Sequence, residues 1–272
     1  MGMKKIVLFS PTGYIGAFIK KAFQQEETVQ LYEIVRGSDL TQYNGQYDIM
    51  VYSASVSAAS AEKYVQDNVV AAITMVRFCV EHRVKRIVYL STDSIYGEID
   101  TDMVSERAVM VNPGIYGTTK YLAEQIIAES GIPFYILRLP SVVGGIWRRN
   151  FISDLMLRIM NNEYIELYNL EKYFNNLLYI DDLIKFIVLL CSREEDHRTE
   201  IFLLGNEEKM KLEEVVSYIQ LQYGSTSQIR NIKDDHKRYF TLDVSKAVKY
   251  GYSSIKIREI LDKLYQLQRG GR

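Results

Sequence analysis

The sequence predicts an α/β fold: a doubly wound parallel sheet followed by a smaller C-terminal α/β lobe. Three observations predict it. Short strand-like runs alternate with longer helical patterns from the N-terminus onward. The strand-like runs are apolar nearly throughout, as strands covered on both faces are. After about residue 145 the alternation loosens, and helices and short strands follow in a less regular order.

The elements follow in order. "KIVLF" reads as a first strand and "YIGAFIKKAFQQ" as an amphipathic helix. "VQLYEIV" and "YDIMVYSA" are the second and third strands. "AEKYVQDNVVAAITMVRFCVEH" is one long helix, and "KRIVYLS" a fourth strand. A polar loop precedes the helix "YGTTKYLAEQIIAES" and the strand "PFYILRL". Strands alternating with helices of this length imply crossovers on both faces of a parallel sheet. Beyond them, "NFISDLMLRIMNN" reads as a helix and "YIELYN" as a short strand. "NNLLYIDDLIKFIVLLC" runs from strand into helix, and "TEIFLLGN" is another strand. "KLEEVVSYIQ" and "SSIKIREILDKLYQL" are helical. The division expected is 1–145 and 146–272, without a Pro/Ser-rich linker, and with some later elements returning to the first sheet. The tail "QRGGR" is expected to fray.

Composition narrows the function classes. Of 272 residues, 47% are hydrophobic and 25% charged, the balance of an ordinary globular protein. A net charge of −1 offers no basic surface for nucleic acid. No run approaches the length of a membrane-spanning helix, and the N-terminal apolar run is too short for a signal sequence, so no membrane partner and a cytoplasmic setting are expected. Cys79 and Cys191 form no CxxC motif and read as buried free thiols. His82, His197 and His236 lack metal-ligand spacing, so no metal is expected.

The chemistry begins at "SPTGYIGAFI", between the first strand and the first helix. Gly13 and Gly16 stand three apart, and Ser10 occupies the place of a third glycine. In that context the turn resembles a dinucleotide fingerprint, with Ser10, Gly13, Tyr14, Ile15 and Gly16 facing a pyrophosphate at a helix N-terminus. Two glycines alone also fit an ordinary strand-to-helix turn. A serine at position 10 is tolerable where its backbone angles are ordinary. Arg36 lies 20 residues beyond Gly16, at the end of the second strand, with Asp39 just after. An arginine there can pair with the 2′-phosphate of NADP, whereas an acid would bind the ribose of NAD. The expected cofactor is NADP or NAD, with a lean to NADP.

Tyr116 and Lys120 in "YGTTK" stand four apart on one helix face. A tyrosine phenol ordinarily titrates near pH 10. A neighbouring ammonium favours the phenolate and suits the pair to proton exchange with an alcohol or ketone during hydride transfer. In a chain with 21 tyrosines such a pair also arises by chance.

The series "SPTGYIG", "YDIMVYSAS", "DNVVAAITMVRFC", "RIVYLSTDSIYG", "NPGIYGTTKYLAEQ", "ILRLPSVVGG", "LLYIDDLIKFI" and "TLDVSKAVKYGY" resembles, in order and over nearly the whole chain, the extended short-chain dehydrogenase/reductase family. These are the NAD(P)-dependent epimerases, dehydratases and ketoreductases of nucleotide sugars. The resemblance implies a Rossmann-like domain and a small substrate lobe. It implies Tyr116 as the acid/base, Lys120 as its electrostatic partner and ribose anchor, and Thr92 as the hydroxyl that bonds the reacting oxygen. Ser53, Ala54 and Ser55 match the small residues along which the cofactor lies. Asn68 matches a central-helix asparagine, and Pro140 and Ser141 the loop beside nicotinamide and substrate. Asp181 and Asp182 match a further motif, which reads as structural, with Asp181 capping a helix. A homodimer through the central helices is also implied.

Two departures matter. Dehydratases of the family carry two carboxylates after the Ser/Thr; here Asp93 is followed by Ser94, which disfavours elimination of water. The arginine that in many members holds the nucleotide diphosphate is matched here by Asn175, with Arg148 and Arg149 able to supply the charge instead; the resemblance implies Asp93, Ser94, Ser141, Asn150 and Asn175 as substrate-binding residues. The expected activity is reduction of a nucleotide-linked keto sugar. A nucleotide-sugar epimerase with tightly bound NAD, a reductase of a small carbonyl compound, and a non-catalytic NADP-binding regulator remain as alternatives.

Overall fold

The computed structural model describes residues 2–54, 59–193, 198–234 and 239–270. The chain divides into two compact units. One comprises 1–98, 109–139 and 184–203, the other 99–108, 140–183 and 204–272.

The first unit is built on a six-stranded sheet. Its strands are β1 (Lys4–Phe9), β2 (Val29–Ile34), β3 (Ile49–Tyr52), β4 (Arg86–Thr92), β5 (Phe134–Leu139) and β6 (Glu200–Leu203). All pair in parallel, in the spatial order β6-β5-β4-β3-β1-β2. The apolar runs are continuous because both faces are covered: Ile6, Val7 and Leu8 are all fully buried. Each such side chain contributes roughly 1.5–3 kcal/mol of burial. Even Arg86, at the start of β4, is accommodated by lying over the Tyr135 ring, 4.5 Å from its centroid. From β1 the chain moves outward to β2, then returns past β1 to β3. That reversal opens a crevice at the carboxyl ends of β1 and β3, where doubly wound sheets bind ligands. Ser10, Ser53 and Thr92 stand at the ends of β1, β3 and β4.

The helices of this unit include α1 (Tyr14–Phe23), α2 (Ala61–Tyr64), α3 (Ala71–Glu81) and α4 (Gly114–Glu129). α2 and α3 are the single long helix read from the sequence, but a π-helical turn, Val65–Val70, joins them. Ser60 caps α2 by accepting from the Lys63 N–H. Cys79 and Cys191 are buried, and burial pushes both thiols up, Cys191 to about 12.

The second unit packs α5 (Phe151–Met160), the start of α6 (Ile180–Ser192), α7 (Leu212–Tyr223), α8 (Ser245–Lys249) and α9 (Ile257–Gly270) with four short strand pairs. Ser141–Val143 pairs with Leu177–Tyr179, and Ile165–Tyr168 with Ile229–Ile232, both in parallel. Its core is helix faces at three- and four-residue spacing: Ile152, Leu155, Met156 and Ile159 of α5 against Val215, Val216 and Ile219 of α7 and Ile257, Ile260, Leu261 and Leu264 of α9.

Candidate active site

The turn after β1 is shaped by close backbone approach. Ser10 has φ 67°, the left-handed region that favours glycine, so its backbone angles are not the ordinary ones a serine prefers. Its carbonyl oxygen accepts from the Gly13 N–H (3.3 Å) and the Ser53 hydroxyl (3.3 Å). A Cβ on Gly16 would collide with that same carbonyl and stand 3.0 Å from Ser53 Oγ. A Cβ on Gly13 would make only ordinary contact, 3.4 Å from Ser10 Oγ. The two glycines therefore differ: Gly16 is required by the fold, whereas Gly13 leaves room that the folded chain does not use. Among the described residues no side chain caps α1, and no acidic residue stands in its first turn. Tyr14 and Ile15 open that helix, half-buried. An uncapped N-terminus beside an open glycine fits the pyrophosphate of a dinucleotide.

At the end of β2, Arg36 is half exposed and its Nη1 pairs with Asp67 Oδ1 at 3.0 Å. The other oxygen of Asp67 pairs with Lys63 Nζ at 2.9 Å. Asp67 is buried in the π-helical turn. The cation expected to meet a 2′-phosphate is thus already engaged by a carboxylate. Asp39 is exposed and caps the short helix Leu40–Gln42; the Thr41 N–H and hydroxyl hold its carboxyl below the usual range. Ser53 also donates to the Phe9 carbonyl at 2.9 Å, and Ala54 is buried beside it in sequence. Ser55 lies outside the described residues.

Thr92 ends β4 and is buried. Its Oγ1 donates toward Ser94 Oγ at 3.1 Å and accepts from the Ser94 N–H at 3.2 Å, starting the short helix Asp93–Tyr96. α4 approaches this helix closely, because a Cβ on Gly117 would collide with the Ser94 carbonyl. Tyr116, one residue earlier, is half-buried, its ring 5.4 Å from that of Tyr64. Lys120 is fully buried. Its Nζ donates to the Leu90 carbonyl at 2.6 Å and lies over the Tyr89 ring, 4.3 Å from the centroid. Burial pushes its ammonium down to about 7, and Glu124 opposes that shift. Asn68 Nδ2 donates to Thr119 Oγ1 at 3.0 Å, and Thr119 in turn donates to the Tyr116 carbonyl at 3.0 Å. The Asn68 carbonyl oxygen is buried without a partner among the described residues. Thr92, Asp93, Ser94, Asn68, Tyr116 and Lys120 are thus gathered around the end of β4.

In the second unit, Pro140 is buried and Ser141 exposed at the start of its short strand. Asn150 caps α5 in a capping box with Ser153, and its Nδ2 donates to the Arg148 carbonyl. Arg149 pairs with Asp154 at 3.1 Å. Asn175 is buried; its Nδ2 donates to the Asn206 and Leu242 carbonyls and its Oδ1 accepts from the Leu242 N–H. Backbone groups use both ends of that amide, so it has a structural occupation where a diphosphate contact was expected. Asp181 falls inside the first turn of α6, where a carboxylate favours the helix dipole, and buried Asp182 accepts from the Ile255 N–H at 3.0 Å.

A family profile described as the NAD dependent epimerase/dehydratase family matches residues 11–205. The chain belongs to that family. This epimerase/dehydratase-family chain is 25% identical over 211 residues to a trifunctional UDP-glucose 4,6-dehydratase/UDP-4-keto-6-deoxy-D-glucose 3,5-epimerase/UDP-4-keto-L-rhamnose-reductase of Arabidopsis thaliana, a match covering 72% of this chain and 31% of that protein. It is 28% identical over 95 residues to a UDP-glucose 4-epimerase of Caenorhabditis elegans, covering 32% of this chain and 27% of that one. The matches span less than a third of the length of these two curated relatives. Among solved structures, the fold is that of the UDP-glucuronic acid 4-epimerase from Bacillus cereus in complex with NAD, with a TM-score of 0.83 at 18% identity, over 98% of this chain and 99% of that one. MoeE5, solved with UDP-glucuronic acid and NAD, superposes with a TM-score of 0.81 at 21% identity, over 98% and 100%. The Rossmann-like sheet and the extended short-chain dehydrogenase/reductase membership read from the sequence both stand.

Sequence reasoning missed Ser91, Glu124 and Arg138, a buried polar group centred one helical turn beyond Lys120. The Ser91 hydroxyl bonds Glu124 Oε1, and Arg138 reaches both Glu124 oxygens, at 3.2 and 2.7 Å. Glu124 stands one helical turn beyond Lys120 in "KYLAE", which is the signal that could have found it. Among the described residues no group of three or more His, Cys, Asp and Glu gathers as a metal site, and no helix is long and apolar enough to cross a membrane.

Proposed function

We propose that this chain is an NAD(P)-dependent oxidoreductase acting on a keto or hydroxyl carbon of a nucleotide-linked sugar, and that it reduces a keto sugar. One observation carries the reading: Lys120 is anchored on Leu90, two residues before Thr92, and stands one helical turn beyond Tyr116. Gly13, the start of α1, Ser53 and Ala54 would hold a nicotinamide dinucleotide, which when bound would supply the hydride. Thr92 Oγ1 donates to the substrate oxygen, and the Tyr116 hydroxyl delivers the proton to it. The Lys120 ammonium steadies the phenolate left behind. With its titration near 7, that support is present below neutral pH and fades above it. Asp93 is a lone carboxylate beside Ser94, and elimination of water needs an acid and a base, so reduction is favoured over dehydration. Asn175 is assigned a structural role.

One observation favours a second reading, an epimerase that retains NAD. Arg36 is engaged by Asp67, which weakens the case for a 2′-phosphate. The solved relatives named above hold NAD. Mass spectrometry of the dinucleotide released from purified protein separates the two. So does incubation with nucleotide-linked 4-keto sugars and NADPH or NADH. Net consumption of reduced dinucleotide supports the reductase. Redox-neutral turnover with retained NAD supports the epimerase. No dinucleotide released, and no melting shift with any added, overturns both.

A further inference from the structure

Lys120 poses a physical problem that the family signature does not address. It is fully buried, and its partners among the described residues are the Leu90 carbonyl and the Tyr89 ring. A carbonyl dipole and a ring quadrupole are weak company for a desolvated ammonium. The titratable groups around it are Tyr89 on β4, whose ring it lies over and against which Tyr52 of β3 stands at 5.1 Å, and Tyr116 and Glu124, one turn before and one turn after it on α4; Arg138 of β5 and Tyr96 of the short helix join the group through Glu124. Burial pushes Tyr89 and Tyr52 well above the ordinary phenol range, so both stay neutral. Among the described residues that leaves Glu124 as the anion, on the same helix face one turn away.

Glu124 is itself held by three hydrogen bonds from two residues. Arg138 donates from Nε to Oε1 and from Nη2 to Oε2, a bidentate pair with both side chains nearly inaccessible. The Ser91 hydroxyl donates to Oε1. Arg138 Nη1 reaches the Tyr96 hydroxyl at 3.0 Å. Ser91 precedes Thr92, and Tyr96 ends the short helix that carries Asp93 and Ser94. The network therefore joins the three elements that bear Thr92, Ser94 and Lys120. A buried ion pair contributes little net stability compared with apolar replacements. Its distinctive product is a fixed carboxylate one helical turn from a buried lysine.

We propose that Glu124 is a positioning residue for Lys120: a buried counter-charge, oriented by Arg138, Ser91 and Tyr96, that keeps the lysine protonated next to Tyr116. This rests on the reading of Lys120 as the partner of Tyr116. The coupling itself is measurable without substrate or cofactor.

Protein labelled with 13C at lysine Cε is titrated by NMR, the Lys120 signal being assigned by its loss in Lys120→Met. The parent midpoint is expected near 7. In Glu124→Gln the anion is gone and the Arg138 cation remains, so the midpoint falls by about one pH unit or more, a tenfold loss of proton affinity. In Arg138→Met the opposing cation is gone and the midpoint rises. In Glu124→Gln/Arg138→Met it lies between that of Glu124→Gln and the parent. Circular dichroism confirms folding; should Glu124→Gln not fold, Arg138→Met and the double variant carry the test. Coincident midpoints in folded variants overturn the proposal. NADH and NADPH binding, followed on the same samples by fluorescence, tests the site reading separately. Ordered midpoints without dinucleotide binding would overturn that reading and leave the coupling intact.

Discussion

Ser10→Gly isolates a conflict between residue and backbone. Ser10 occupies φ 67°, where a Cβ crowds the following carbonyl, at a cost of roughly 1–2 kcal/mol. Glycine removes that cost but adds unfolded-state freedom worth roughly 0.4–1 kcal/mol. The carbonyl contacts to Gly13 and Ser53 come from the backbone and survive the change. The net expectation is a gain of about 0.5–1 kcal/mol. For a chain of this size that is a rise in Tm of about 1–4 °C. Differential scanning calorimetry at fixed protein concentration measures it, and titration with NADH and NADPH measures binding, which is expected to hold or improve. A lower Tm would refute the strain argument. A tenfold loss of affinity with Tm preserved would show the serine hydroxyl to be a ligand.

Four further outcomes follow from the same geometry. Gly13→Ala should melt like the parent without cofactor yet lose most of its dinucleotide-induced melting shift, whereas Gly16→Ala should lose several degrees outright, because its Cβ meets the Ser10 carbonyl. Tyr116→Phe should cut turnover by a factor of about 100 or more while dinucleotide affinity, by fluorescence titration, changes little. Lys120→Met should be more stable than the parent at neutral pH: the folded pKa lies below the unfolded one, so the buried charge costs most below about pH 7, and the gap in Tm should narrow as pH rises from 7 toward 10. Ile73, Val80, Ile115 and Leu122 are exposed on α3 and α4; Leu122→Arg is expected to turn a dimer into a monomer in light scattering, and a monomeric parent would refute that surface.

The sheet was legible because parallel strands covered on both faces print themselves as unbroken apolar runs, as in Ile6–Phe9 and Val88–Leu90. α1 and α4 were legible from spacing, and the family from an ordered series of motifs. What escaped depends on partners far away in the chain. Asn175 looked like a ligand because its partners are backbone groups 31 and 67 residues distant. Arg36 was read correctly as a cation at a strand end, but its pairing with Asp67 crosses from one element to another. The parallel pairing of Ile229–Ile232 with Ile165–Tyr168 joins strands of four residues, too short to carry a periodic signal. The φ of Ser10 leaves no compositional trace, since a serine there contradicts the local rule.

The π-helical turn Val65–Val70 has a consequence for how this chain tolerates length changes. A π-turn holds one residue more than the α-helix around it needs. Deleting a single residue there would let α2 and α3 fuse into one regular helix, so the fold could absorb the loss. The price would be rotation: one residue turns a helix by about 100°. Everything before the deletion would swing away relative to Asn68, and Asp67 would no longer meet both Arg36 and Lys63. The extra residue is thus a local register shift, dispensable to the architecture and decisive for which side chains face the crevice.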